Sequence, residues 1–171
     1  MITGENVFLR QVDPSDATLL LLWENNPENW KVSETEAPFS LQEIQDYIAT
    51  ASNIRANKQL RLIICKTDSK KAIGTIDLFD VDFKNKRAGV GILISNKNER
   101  QKGFASEALE LISKYASTIL NFKQLHCLVQ SDNLNSVSLF EKQGFIKTGE
   151  RKRWYYNNGK ELDVYFYQKF L

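Results

Sequence analysis

Gly91 to Ala108, GILISNKNERQKGFASEA, takes the chain from an apolar strand through a polar loop into a long helix. The strand is Ala88 to Ser95 (AGVGILIS). The helix opens at Gly103 and places Ala105, Ala108, Leu109, Ile112, Ala116 and Ile119 on one face. The first turn of such a helix leaves several N–H groups without intrahelical acceptors, and the macrodipole makes that end positive. Arg100 and Lys102 add two cations, while Gly103 and Ala105 keep side-chain bulk away from the backbone. This combination suits a pyrophosphate, and it also suits a plain solvated loop with a charged helix start. Two common phosphate motifs are excluded by spacing. No GxxxxGK[ST] occurs, and Gly89-Val90-Gly91 is followed by Ile94 where a dinucleotide fingerprint needs its third glycine.

Working outward, the strand is one of three short apolar runs, after Leu60 to Cys65 (LRLIIC) and Ala72 to Phe79 (AIGTIDLF). The turn-rich connectors DSKK and DFKNKR make these an antiparallel meander. Upstream, Val7 to Val12 is a first strand, and Asp13-Pro14 caps a helix carrying Leu19, Leu20, Leu22 and Trp23. Ser40-Leu41-Gln42-Glu43 is a capping box opening a second helix, whose Leu41, Ile44, Tyr47, Ile48 and Ala51 share a face. Downstream come a strand at Gln124 to Gln130 and a short helix ending at Gly144. Glu150 to Tyr156 and Leu162 to Lys169 then flank the hairpin signal Asn157-Asn158-Gly159. The helix between Ala88–Ser95 and Gln124–Gln130 makes those two strands parallel if they are neighbours. An α/β fold follows: one mixed sheet of about seven strands with helices on both faces.

No repeat, low-complexity tract or linker divides the 171 residues, so residues 1–171 are expected to form a single domain. A net charge of +2, from 23 basic and 21 acidic side chains, gives no ground for nucleic-acid or membrane binding. The N-terminal MITGENVFLRQVDPSD lacks the pattern of a signal peptide, and apolar stretches are far too short for a membrane span. Cys65 and Cys127 lie in strand-like apolar runs and read as buried reduced thiols, which favours a cytoplasmic setting. A single histidine, His126, leaves no His/Cys metal cluster to assemble, so no metal is expected. His126 and Cys127 are adjacent on a strand and point to opposite faces, which argues against a nucleophile–base pair.

Asp77 stands among apolar neighbours in TIDLF, where burial would make it a candidate general base; it also suits a hydrogen-bonded structural carboxylate. Trp23, Glu24, Trp30, Glu34 and Glu36 combine aromatic faces with acids and are candidates to bind a cationic amine, and Tyr155, Tyr156 and Asp163 on the final hairpin are candidates to face the same cleft. Each is also of a type common in cores or on surfaces.

Arg100-Gln101-Lys102-Gly103-Phe104-Ala105 resembles the [Gln/Arg]-x-x-Gly-x-[Gly/Ala] signature of the GNAT acetyltransferase superfamily. Asn133 to Phe145 (NLNSVSLFEKQGF) resembles that family's N-x-x-[AS]-x-x-[LI]-Y-x-x-x-G-F block. LRQVDPSDA at Leu9 to Ala17 and TIDLFDVDFKNKRAGVGILI at Thr75 to Ile94 are similar to the ribosomal-protein-alanine and spermidine acetyltransferase branch. The resemblance implies a pair of central parallel strands that splay to admit acetyl-CoA. It assigns the pantetheine arm to the backbone of Leu93, Ile94 and Ser95, with an N–H near Ile94 polarising the thioester carbonyl. It assigns the pyrophosphate to Arg100, Gln101, Lys102, Gly103, Phe104, Ala105 and Ser106. Asn133 would touch the pantetheine end or cap its helix, with Ser136 and Phe140 beside it.

The implied reaction is direct attack by a primary amine (of a polyamine, another small amine or a protein N-terminus) on the thioester. Two family features are missing. Phe140 occupies the position of a tyrosine acid, leaving water, Tyr115, Tyr155 or no acid. Gly89 occupies the position of a glutamate found in spermidine-type relatives. Both departures also fit a catalytically weak acyl-CoA-binding sensor. A homodimer is the habit of such proteins.

Overall fold

A computed structural model describes residues 1–33, 35–51, 53–157 and 159–171. Eight strands form one sheet: β1 (Ile2–Thr3), β2 (Val7–Gln11), β3 (Leu60–Lys66), β4 (Ala72–Asp82), β5 (Arg87–Ile94), β6 (Gln124–Gln130), β7 (Ile146–Asn157) and β8 (Lys160–Phe170). The helices are α1 (Ala17–Glu24), α2 (Pro27–Ser33), α3 (Leu41–Thr50), α4 (Ile54–Asn57), α5 (Phe104–Thr118) and α6 (Leu134–Lys142). The sheet order is β1-β2-β3-β4-β5-β6-β8-β7. Every pairing is antiparallel except β5 with β6, the parallel pair expected from the intervening helix.

The extra strand β1 is two residues long and pairs Ile2 with Leu9 and Thr3 with Phe8, too short for any periodicity to reveal it. Helices α2 and α4 were also not anticipated. Helix α2 starts at a proline preset for a first helical position, and α4 is a single turn capped by Asn53, whose side chain accepts from Ala56 N–H. Strand β7 begins at Ile146, four residues before Glu150.

Local chemistry sets these elements as expected. Asp13 and Ser40 each make a reciprocal capping box, with Asp16 and with Glu43. Gly144 takes φ 81° after α6, a conformation cheap only for glycine.

Strand alternation divides the core in two. On one face Val7, Leu9, Leu62, Ile64, Ile76, Leu78, Val90 and Leu125 pack under Ala108, Leu109, Ile112 and Ala116 of α5 and Phe140 of α6. On the other, Phe8, Ile63 and Cys65 pack under Ala17, Leu20 and Trp23 of α1 and Ile44 and Ile48 of α3. Ile119, expected on the buried face of α5, lies just beyond the helix end and is 68% exposed. Among the described residues, no helix is long and apolar enough to cross a membrane.

Candidate active site

The β5–β6 ladder pairs Arg87 with Gln124, Ala88 with Leu125 and Gly89 with His126, and then stops, although β5 runs on to Ile94 and β6 to Gln130. A cavity of about 340 Å³ fills the parting. Because adjacent strand residues face opposite ways, its wall belongs to both faces of the sheet. Val90, Ile92, Cys127 and Val129 line it on the α5–α6 side, joined by Asn133, Ser136 and Phe140 of α6. Arg61, Asp77, Phe79, Leu128, Gln130 and Tyr155 line it on the other, joined by Glu24 at the end of α1.

Backbone direction settles which strand groups reach the gap. Ser95 N–H donates to Ile73 O at 3.0 Å, and Leu93 pairs with Thr75 and Gly91 with Asp77. By antiparallel alternation, residues 91, 93 and 95 turn their backbone groups to β4, while Ile92 and Ile94 turn theirs toward β6. Of the three residues named from the sequence for the pantetheine arm, Leu93 and Ser95 turn their backbone groups to β4, and Ile94 points its N–H at the opening. Its carbonyl accepts from Arg100 Nε at 2.8 Å. Ile92, not singled out in the sequence, supplies the next N–H and C=O along that edge.

At the mouth, Gly103 caps α5 with φ 87°, and a Cβ built on it would meet nothing within 4 Å. The first intrahelical bond runs from Glu107 N–H to Gly103 O, so the N–H groups of Phe104, Ala105 and Ser106 have no acceptor inside the helix. Gln143 Nε2 donates to Ser106 Oγ at 2.5 Å, tying the end of α6 to the start of α5. Gln101 takes φ 61°, bending the loop tightly ahead of the helix.

The cations around this end are more numerous, and more engaged, than the sequence indicated. Arg100 is held by Ile94 O, and Lys102 Nζ bonds Glu99 Oε2 at 3.1 Å. That lysine bond, with the nearby charges of Lys66 and Lys71, holds the Glu99 carboxyl below its ordinary range against the opposing effect of burial. Lys66 Nζ lies 5.6 Å from the Phe104 ring centroid. Lys66 and Lys71 flank the β3–β4 turn, far from α5 in sequence, and nothing local announced them.

On the α1 side of the gap, Arg61 is the organiser. Its Nε donates to Asp77 Oδ1 at 2.7 Å, Nη2 to Asp77 Oδ2 at 3.2 Å and Nη1 to Glu24 Oε1 at 2.6 Å. Asp77 thus lines the cavity with both oxygens engaged by a guanidinium. Glu24, named from the sequence beside Trp23, lines the cavity; Arg61 was not among the expected site residues. An arginine inside the apolar run LRLIIC was the available signal, since a cation there requires buried partners.

The remaining candidates separate. Tyr155 lines the cavity. Trp23 does not: it is 9% exposed in the core between α1 and the sheet. Trp30 Nε1 donates to Glu24 O at 2.6 Å and stays outside the wall, and Glu36 is exposed. Their aromatic and acidic character serves packing, capping and solvation. Glu34 lies outside the described residues. Asn133 Oδ1 accepts from Ser136 N–H at 3.2 Å and caps α6, and the residue also lines the cavity. The buried Phe140 ring packs edge-on against Phe145, centroids 5.0 Å apart. Tyr115, on α5, is not part of the wall.

Cys127 borders the gap with its thiol pushed up to about 12 by burial, which disables it as a nucleophile. His126 faces away from Cys127, its ring set against Phe79 and Phe166. No group of three or more His, Cys, Asp or Glu capable of holding a metal occurs among the described residues.

The crystal structure of spermidine N-acetyltransferase from Vibrio cholerae in complex with CoA and spermine superposes with TM-score 0.87 at 24% identity, covering 96% of this chain and 95% of that one. The uncharacterized N-acetyltransferase YoaA of Bacillus subtilis (strain 168) is 29% identical over 168 residues, 98% of this chain and 94% of its own. Spermidine N(1)-acetyltransferase of Escherichia coli (strain K12) is 26% identical over 163 residues, 94% of this chain and 83% of its own. The family model of the acetyltransferase (GNAT) domain matches residues 6–146. With that match spanning most of the chain, and the parted β5–β6 pair in place, the chain belongs to the GNAT acetyltransferase family.

Proposed function

We propose that this chain, acting as a single domain over residues 1–171, transfers the acetyl group of acetyl-CoA to a primary amine by direct attack of the amine on the thioester. One observation carries the reading: the β5–β6 ladder ends at Gly89 and His126 while the uncapped start of α5 opens beside the parting. The residues present fit the coenzyme. The N–H groups of Phe104, Ala105 and Ser106, in the setting made by Gln101, Lys102 and the open Gly103, are oriented for a diphosphate, with Arg100 fixing the loop. Ile92 and Ile94 offer a strand edge for the amide-containing arm, and Ile94 N–H is placed to stabilise a developing oxyanion. Asn133, Ser136 and Phe140 close the cavity from α6. The acceptor enters from the α1 side, past Glu24, Arg61, Asp77 and Tyr155. Tyr155 is the phenol at the cavity and takes the role of proton donor to the departing thiolate, which Phe140 lacks the chemistry to fill.

A polyamine, another small amine and a protein N-terminus all satisfy the cationic-acceptor requirement. The spermidine acetyltransferases among the relatives support the first. Free, buried Cys65 and Cys127 support a reducing, cytoplasmic setting. A homodimer belongs to the same proposal, supported by edge strand β7, which exposes Ile146, Trp154 and Tyr156.

A second reading, coenzyme binding without turnover, is favoured by the buried, donor-free Phe140. Thiol release from acetyl-CoA across amines and short peptides tests both. Amine-dependent release supports transfer, and tight coenzyme binding with silence across the panel supports the sensor.

A further inference from the structure

Resting on the reading of Tyr155 as proton donor, we propose that Asp163 is a positioning residue for the transfer: its carboxylate holds a bulge in β7 that sets Tyr155 at the cavity wall. Arg151 pairs with Val164 and Tyr155 with Leu162, so Lys152, Arg153 and Trp154 all stand opposite Asp163 alone. Strand β7 therefore carries two more residues here than a regular ladder holds. In a regular ladder Arg153 would stand opposite Leu162. Tyr155 would then lie about 7 Å nearer the hairpin tip, opposite Lys160. The bulge thus puts a phenol where the regular register would put a guanidinium.

Polar bonds keep the bulge in place. Lys152, Arg153 and Trp154 are exposed, so packing does little to hold them, whereas Tyr155 next to them is half-buried. Arg153 takes φ 53°, a conformation that a residue with a Cβ keeps only where its surroundings fix it. Arg153 N–H donates to Asp163 Oδ1 at 2.8 Å, and Lys152 Nζ donates to Oδ2 at 3.1 Å. These bonds, the backbone one foremost, keep the Asp163 carboxyl below its ordinary range against the opposing effect of burial. It is therefore an ionised acceptor at neutral pH.

The same residue reaches the other side of the site. Asp163 O accepts from Ser131 N–H at 2.9 Å, and Ser131 lies between the cavity residues Gln130 and Asn133. Through its carbonyl Asp163 holds the end of β6, and through its carboxylate it holds the bulge that precedes Tyr155. The phenol is thereby fixed against the wall that it serves. In the transfer the amine nitrogen bonds the acetyl carbon and the carbon–sulfur bond breaks. The departing thiolate takes the Tyr155 proton, and the phenolate regains one from the new amide's nitrogen through water.

The test uses the full chain with acetyl-CoA, taking the faster of spermidine and alaninamide as acceptor and following thiol release. Tyr155→Phe should lower kcat about a hundredfold and Asp163→Ala about tenfold, each with the KM for acetyl-CoA within about twofold of the parent. Asp163→Asn keeps an oxygen for Arg153 N–H and should stay within about threefold of the parent rate. The double variant Asp163→Ala with Tyr155→Phe should be no slower than Tyr155→Phe alone, because one residue acts through the other. In the parent chain the Arg153 amide should be protected from deuterium exchange. An Asp163→Ala chain at the parent rate, an Asp163→Asn chain as slow as Asp163→Ala, or additive losses in the double variant overturn the inference and leave Tyr155 as donor. Exchange of the Arg153 amide at the rate of an open peptide overturns it too, whether or not Asp163→Ala folds. Tyr155→Phe at the parent rate overturns the donor reading and the inference together. A parent chain that binds the coenzyme but is silent with both acceptors overturns the transferase reading as well.

Discussion

Phe79 of β4 lies over Gly89 of β5, its partner in the register, so closely that a methyl group at Gly89 would meet the ring 2.3 Å away. The resemblance to spermidine-type enzymes implies a glutamate at this position, and a side chain there would require the Phe79 ring to shift. Gly89→Ala should lower stability by about 1–3 kcal/mol through overpacking, read as a shift in denaturant midpoint. Combining it with Phe79→Ala should recover part of that loss, since the two residues contest one volume. An additive double variant would show that the contact does not govern the site.

The cations at the coenzyme mouth come from two distant segments. Lys66→Ala and Lys71→Ala should each weaken acetyl-CoA binding about threefold to tenfold, near 1 kcal/mol per rim charge. The effect should fade in high salt, because exposed charges are screened. Calorimetric titration at two ionic strengths checks this. Unchanged affinity at low salt would remove both lysines from the site.

Glu107, in the first turn of α5, clamps the start of β2. Asn6 N donates to it at 2.9 Å, Asn6 Nδ2 at 3.0 Å and Val7 N at 3.5 Å. Burial pushes this carboxyl up, but the bonds from Asn6 and Val7 together outweigh it and hold it below its ordinary 4.5. A depressed carboxyl contributes stability that is fully present above the unfolded value and is lost as pH falls through the folded one. Glu107→Gln should therefore cost about 1–2 kcal/mol at pH 7, and the gap to the parent should close as pH drops below about 4.5. A gap constant with pH would mean that the clamp does not depend on charge.

What the sequence revealed and what it hid divide by distance along the chain. The start of α5, the cap at Asn133 and the capping boxes at Asp13 and Ser40 are local signals, because a terminal N–H finds its partner within a turn. The parallel β5–β6 pair followed from one crossover helix. The point at which the pair parts did not, since it depends on pairing between segments more than thirty residues apart. The Arg61 cluster joins α1, β3 and β4, and Lys66 of β3 lies against Phe104 of α5. Residue type alone misled for Trp23 and Trp30: an aromatic beside acids describes a binding wall and a helix packed on a core equally well. Backbone direction in β5 was legible only once Ser95 N–H was seen to meet Ile73 O.

The central claim is that the exposed amides entering α5 hold the coenzyme's diphosphate beside the parted strands. Amide chemical shifts of the nitrogen-15-labelled chain, followed while CoA is added, test it most directly. The largest shifts are expected at Lys102 to Ser106, with a second group at Ile92 and Ile94. Saturable binding that leaves those amides unmoved, or no binding at millimolar CoA, would contradict it.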